Sequence, residues 1–184
     1  MDIPALAIVL GGLAVVYLFC LREGGNGMQA LKAELVNPFL SAGMDVMAQV
    51  LGNVKRGTPW LAQGLVKLKD FAVEFRVDGY IQGIFTYTMT QAVALHIAAK
   101  LTGRDLPHID DIARSALAEL GNWVSGRTVS QFKKRVVLSV PRIFEGGSTV
   151  TSLHDMLLAV PVLSPYEAYE AIEIYLWFQE KEAA

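Results

Sequence analysis

The chain has 184 residues, 53% of them hydrophobic and 18% charged, which excludes a disordered chain and supplies enough apolar material for one folded core. Its 16 Lys and Arg against 18 Asp and Glu leave a net charge of -2 with no basic stripe, so nucleic acid is excluded as a partner. The single cysteine, Cys20, excludes an intrachain disulfide and a multi-cysteine metal cluster.

Residues 3–21 (IPALAIVLGGLAVVYLFCL) carry no charge, and as a helix they would extend about 28 Å, close to the hydrocarbon thickness of a bilayer. The run predicts a single transmembrane helix over residues 1–22. No Lys or Arg precedes it and no small-residue cleavage site follows, which favours an uncleaved anchor over a signal peptide. The alternative, a buried or dimer-forming helix of a soluble protein, is disfavoured because no polar position interrupts the run. Arg22 and Lys32 follow the run whereas only Met1 and Asp2 precede it, so the inner (cytoplasmic) membrane is expected, with the bulk of the chain in the cytoplasm. Residues 23–27 (EGGNG) then read as a flexible linker, and residues 28–184 as one domain.

Within that domain a first helix is predicted from about Met28 or Asn37 to Leu51, with Pro38 in the first turn of its main segment. Alternation of Phe71, Val73, Phe75 and Val77, and of Ile81, Phe85, Tyr87 and Met89, predicts two strands joined by a hairpin turn at Asp78-Gly79. A second helix is predicted over about 90–101, ending at Gly103, and a third from near Asp110 to about Ser125, where Asp110 and Asp111 suit its positive end. Strands are expected over 135–140, 156–163 and 170–178. The order predicts an α+β fold: an antiparallel or mixed sheet with the longer helices on one face.

The usual enzyme signatures are missing: no Gly-rich phosphate loop precedes a helix, there is no G-x-S-x-G, and His96, His108 and His154 are not spaced as ligands on one helix. One constellation stands in the third helix, where Glu119 and Asn122 lie three residues apart and therefore share a face. A carboxylate beside a carboxamide can grip a cation and hold a water, although such a pair also occurs as plain solvated surface. Gly121 between them costs a helix about 1 kcal/mol relative to Ala, which suggests a close approach by something.

Residues 111–126 (DIARSALAELGNWVSG) resemble the E-x-x-N helix of the CheX/CheC/FliY chemotaxis phosphatases, and of these most of all the CheX-like members. Asn37-Pro38-Phe39, the Gly79 to Gly83 run GYIQG, and Leu138-Ser-Val-Pro141 followed by Glu145-Gly146 are similar to landmarks of that family in the same order. The resemblance spans about residues 30–178. It implies a CheC/CheX-like fold and hydrolysis of the aspartyl phosphate on a CheY-like response-regulator receiver domain of two-component signalling. Asn122 would orient the attacking water and Glu119 would dock on the receiver's lysine. Magnesium would sit on the receiver, with no cofactor or metal bound by this chain, and pairing as a homodimer is implied. Residues 38–52 lack the second E-x-x-N of CheC-like members, which implies one site per chain. Trp123 is bulkier than the small aliphatic residue the family pattern leads one to expect, and the apolar N-terminus lies outside the family core. A second reading keeps the fold without catalysis, as a membrane-tethered binding module for a receiver or another signalling protein. A third makes the chain a structural membrane subunit with a merely solvated polar pair.

Overall fold

The computed structural model describes residues 33–146, 149–164 and 171–180. The apolar run, the linker, and Cys20 lie outside the described residues, and among the described residues no helix is long and apolar enough to cross a membrane. In chain order the elements are α1 (Ala33–Leu51), β1 (Lys55–Arg56), β2 (Trp60–Lys67), β3 (Phe71–Gly79), β4 (Ile81–Met89), α2 (Gln91–Thr102), α3 (Asp111–Ser130), β5 (Val136–Leu138), β6 (Arg142–Glu145), β7 (Thr149–Leu163) and β8 (Ile172–Glu180).

All strand pairings among the described residues are antiparallel, as the first of the two expected arrangements has it. The strands run in the order β1-β7-β8-β4-β3-β5, with β2 also on β7 and β6 also on β3. Alternation sends Phe71, Val73, Phe75 and Val77 of β3, Phe85 and Tyr87 of β4, and Ile172, Ile174 and Leu176 of β8 to one face, where they meet the buried sides of all three helices. Phe39 of α1 is the hub of an aromatic layer, stacked on Phe178 at 4.4 Å and tilted against Phe85 at 5.3 Å, while Phe85 stacks on Phe75 at 5.8 Å. Ring pairs of this geometry contribute about 0.5–1.5 kcal/mol each beyond the area they bury.

The opposite face holds a smaller cluster of Leu68, Ala72, Leu157, Ala159 and Tyr175. Two buried carboxylates lie there with partners: Glu173 faces Lys69 at 3.3 Å and accepts from the Tyr175 hydroxyl at 2.8 Å, and Glu74 faces Arg142 at 3.4 Å. Burial without such partners would be prohibitive for a charge.

Several elements depart from expectation. Pro38 lies inside α1 rather than in its first turn, because the helix begins at Ala33; its missing N–H leaves one ladder bond unmade, and its ring is buried. Strands β1, β2 and β6 were not anticipated. Strand β2 (WLAQGLVK) has no strict alternation, β6 has four residues, and β1 has two. Helix α3 runs five residues past the expected Ser125, since Val124 and Thr128 continue its buried face. By contrast, α2 starts and stops at the expected signals, with the Thr90 hydroxyl accepting from the Val93 N–H and Gly103 in the left-handed conformation at φ 66°.

The packing of α3 fixes the height of everything it carries. Ala113, Ala116, Leu117, Leu120, Gly121, Val124 and Thr128 form its buried stripe, at the three- and four-residue spacing of one helix face. At Gly121 a Cβ would lie 3.1 Å from Phe75 Cζ, 3.2 Å from the Tyr87 hydroxyl and 3.4 Å from Val73 Cγ1. The close approach suggested by Gly121 is therefore made by the chain's own sheet. Gly126, one turn and a half further on, has nothing within 4 Å of the corresponding position. The two glycines should respond oppositely in urea denaturation: Gly121→Val should lower stability by about 1–3 kcal/mol through overpacking, whereas Gly126→Ala should raise it by up to about 1 kcal/mol.

Candidate functional site

With Leu117, Leu120, Gly121 and Val124 turned to the sheet, residues 119, 122 and 123 fall on the exposed side of α3. The structure brings the two predicted site residues together: Asn122 Nδ2 donates to Glu119 Oε2 at 3.2 Å. The second carboxylate oxygen is also engaged, since Trp123 Nε1 donates to Glu119 Oε1 at 2.9 Å. One carboxylate thus accepts from two neighbours at i+3 and i+4, and both donors lie on the C-terminal side of it. The Trp123 ring remains 42% exposed. From the sequence Trp123 was only a bulky departure; its four-residue spacing from Glu119 was the available signal that an indole N–H could reach the carboxylate.

Beside the triad lies an open groove of about 510 Å³ between the end of α2 and the first half of α3, lined by Leu101, Ile112, Ser115, Ala116, Glu119 and Trp123 among others. Ile112, 40% exposed, and Trp123 give it apolar walls, and Glu119 is among its lining residues. Such a surface offers an anionic acceptor to a cationic group, a carboxamide oxygen left over for a water proton, and apolar sides that a partner could cover.

His96 and His108 do not join this arrangement. His96 is a partly buried residue of α2, His108 is exposed in the α2–α3 connection, and the side chain of His154 lies outside the described residues. Among the described residues no three His, Cys, Asp or Glu side chains gather as a metal-ligand set.

At its first turn α3 is tied to the sheet edge. The Arg114 guanidinium grips Glu145 at the end of β6 with two bonds, Nε to Oε1 at 2.6 Å and Nη2 to Oε2 at 3.2 Å, and reaches Asp111 at 3.0 Å. The fork geometry suits a guanidinium on a carboxylate, and the hydrogen bond from Arg114 holds the Glu145 carboxyl below its ordinary value. A lowered carboxyl pKa means that the pair stabilises the fold above the ordinary glutamate range and that this contribution fades as pH falls through the lowered value. Replacement Glu145→Gln should therefore narrow the difference in melting temperature between neutral and acidic buffer, by a small amount because the pair is solvent-exposed.

Comparison with known proteins follows the same lines. Residues 72–160 match the family described as "Chemotaxis phosphatase CheX". A curated relative, "CheY-P phosphatase CheX" from Thermotoga maritima, is 23% identical over 137 residues, covering 72% of this chain and 88% of the relative. Among solved structures, the chemotaxis protein CheX from Desulfovibrio desulfuricans superposes with a TM-score of 0.69 at 20% identity, covering 79% of this chain and 99% of that one. A chain of the CheX-CheY-BeF3-Mg2+ complex from Borrelia burgdorferi superposes with a TM-score of 0.65 at 23% identity, covering 79% and 98%. The solved structures show the shared fold, and the family match and the curated relative show that this chain is similar to CheX proteins.

Proposed function

We propose that this chain is a phosphatase for the aspartyl phosphate of a CheY-like receiver domain, with Asn122 orienting the attacking water and Glu119 docking on the receiver's lysine. The observation that carries this reading is the Glu119–Asn122 contact on the exposed face of α3, in a chain that resembles a CheY-P phosphatase over most of its length. A relative of this fold crystallised with CheY, BeF3 and Mg2+ supports a receiver as the partner and the receiver as the holder of the metal.

The chemistry asks little of the protein. An acyl phosphate is already activated, so hydrolysis requires a water in line with the bond from phosphorus to the aspartyl oxygen, and shielding of the charge that develops. Water attacks phosphorus, the aspartyl carboxylate leaves, and inorganic phosphate is released. With its amide nitrogen directed to Glu119, Asn122 has its carbonyl oxygen available to accept a proton of that water. The Glu119 carboxylate would take an ammonium of the receiver in charge-assisted hydrogen bonds, which would seat the helix over the phosphate.

In a lifetime assay on a phosphorylated CheY-type receiver with magnesium, the full chain in detergent should shorten the lifetime, and Asn122→Ala should lose about 100-fold or more of that effect. Asn122 is exposed, so the variant should retain the wild-type melting temperature. Equal activity of wild type and Asn122→Ala would dismiss the assignment. Glu119→Ala should raise KM for the receiver, because the residue is given a docking role.

The apolar run at residues 3–21 gives the reading its place: we propose that it anchors the domain on the cytoplasmic side of the inner membrane. Protease added to intact cells should leave the domain whole, and digestion should follow only when the membrane is opened. Cleavage in intact cells would reverse the orientation.

A further inference from the structure

We propose that Trp123 is a positioning residue of this site: its indole holds Glu119 in the rotamer that sets which way the Asn122 carboxamide faces. The inference rests on the reading of Asn122 as the water-orienting group, and it adds a residue that the E-x-x-N pattern does not contain.

The argument begins with an ambiguity in the carboxamide. Its oxygen and nitrogen ends are almost the same size, so packing alone does not choose between them at an exposed position; a neighbour's hydrogen-bonding character must. An ionised carboxylate only accepts, so when Glu119 Oε2 stands 3.2 Å from Asn122, the amide must turn its NH2 to Glu119 and its carbonyl oxygen away. That oxygen is the end able to accept a proton from water. Everything then depends on Glu119 keeping Oε2 beside Asn122. Glu119 is a long, exposed side chain with several rotamers of similar energy, and by itself it would spend much of its time elsewhere. Trp123 removes that freedom. An indole has one N–H and no acceptor, and at 2.9 Å it is committed to Oε1, which directs Oε2 toward residue 122.

The indole lines the groove together with Leu101, Ile112 and Ala116, and about two-fifths of its surface remains exposed. A large flat side chain has few rotamers to lose, so it is a better strut than a Lys or Gln with the same donor. The order of control runs from Trp123 to Glu119 to Asn122 along one turn of helix. A phenylalanine at 123 would keep the ring and lose the donor.

Two readouts test this on the full chain in detergent. In the receiver-lifetime assay Trp123→Phe should lower kcat about tenfold with KM changed less than about twofold, the loss expected for one charge-assisted hydrogen bond that acts on orientation. Trp123→Ala, which also removes the ring from the groove, should raise KM as well. Independently of activity, amide and indole N–H signals can be read by NMR. The chain has three tryptophans, so the signal that Trp123→Phe removes identifies the indole of Trp123, and Glu119→Ala should shift that same signal. The side-chain NH2 pair of Asn122 should move in Trp123→Phe although residue 122 is unchanged. Full activity in Trp123→Phe beside a dead Asn122→Ala would overturn the proposal, as would an Asn122 NH2 pair unmoved by Trp123→Phe. If the wild-type chain has no effect on any receiver while the NH2 pair still moves, the phosphatase reading falls and the control of the amide by Trp123 stands.

Discussion

Gly121 is where the helix carrying Glu119 and Asn122 meets the sheet, and the atoms it meets are among the least yielding in the molecule. Phe75 and Tyr87 are fully buried, each is packed against Phe85, and the Tyr87 hydroxyl is wedged against the helix with no hydrogen-bond partner among the described residues. Burial pushes that phenol's pKa well above its ordinary value, so it remains a neutral, rigid spacer. A buried hydroxyl without a partner is itself a cost of about 1–3 kcal/mol, carried by a core that gains more from the ring. Because α3 is seated by backbone against ring ends, with no long side chain between, the exposed face of the helix stands at a fixed height over the aromatic layer.

Strand β7 is shared by β8 on one side and by β1 and β2 on the other, and the break between β1 and β2 falls at Pro161. Proline has no N–H to give to a ladder, so the break costs nothing there, while its carbonyl still accepts from Gly57 at 2.9 Å. A side chain at residue 57 would meet the proline ring at 2.6 Å, so the glycine and the proline are matched across the strands.

Local signals were legible in the sequence wherever one residue type performs one geometric task. Thr90 and Gly103 bound α2, and Asp110 accepts from the Ala113 N–H at the start of α3. The β3–β4 pair followed from alternation, with register Phe75↔Phe85 and Val77↔Gly83. Strand β2 was illegible because its sequence does not alternate strictly and it pairs with β7 through a register shift between Ala62 and Gly64. For the site, the E-x-x-N spacing was readable and so was the shared face. The role of Trp123 was not, because a hydrogen bond from an indole to a carboxylate depends on rotamers, which composition and spacing leave open. Gly121 was readable as an anomaly, but only the fold identified Phe75 and Tyr87 as what it approaches.

The exposure of Glu119 and Asn122 has a consequence for the kind of catalyst this chain can be. Both side chains are exposed on the outer face of α3, and an open groove lies beside Glu119. A water held there by Asn122 alone exchanges freely with solvent, and the described residues supply no low-dielectric enclosure of the kind that makes oriented dipoles effective. If Asn122 acts as proposed, the missing walls, the metal and the phosphoryl group all arrive with the other protein, so the reaction vessel exists only while two surfaces are pressed together. Small acyl phosphates such as acetyl phosphate bring no walls, and they would pass this helix unhydrolysed.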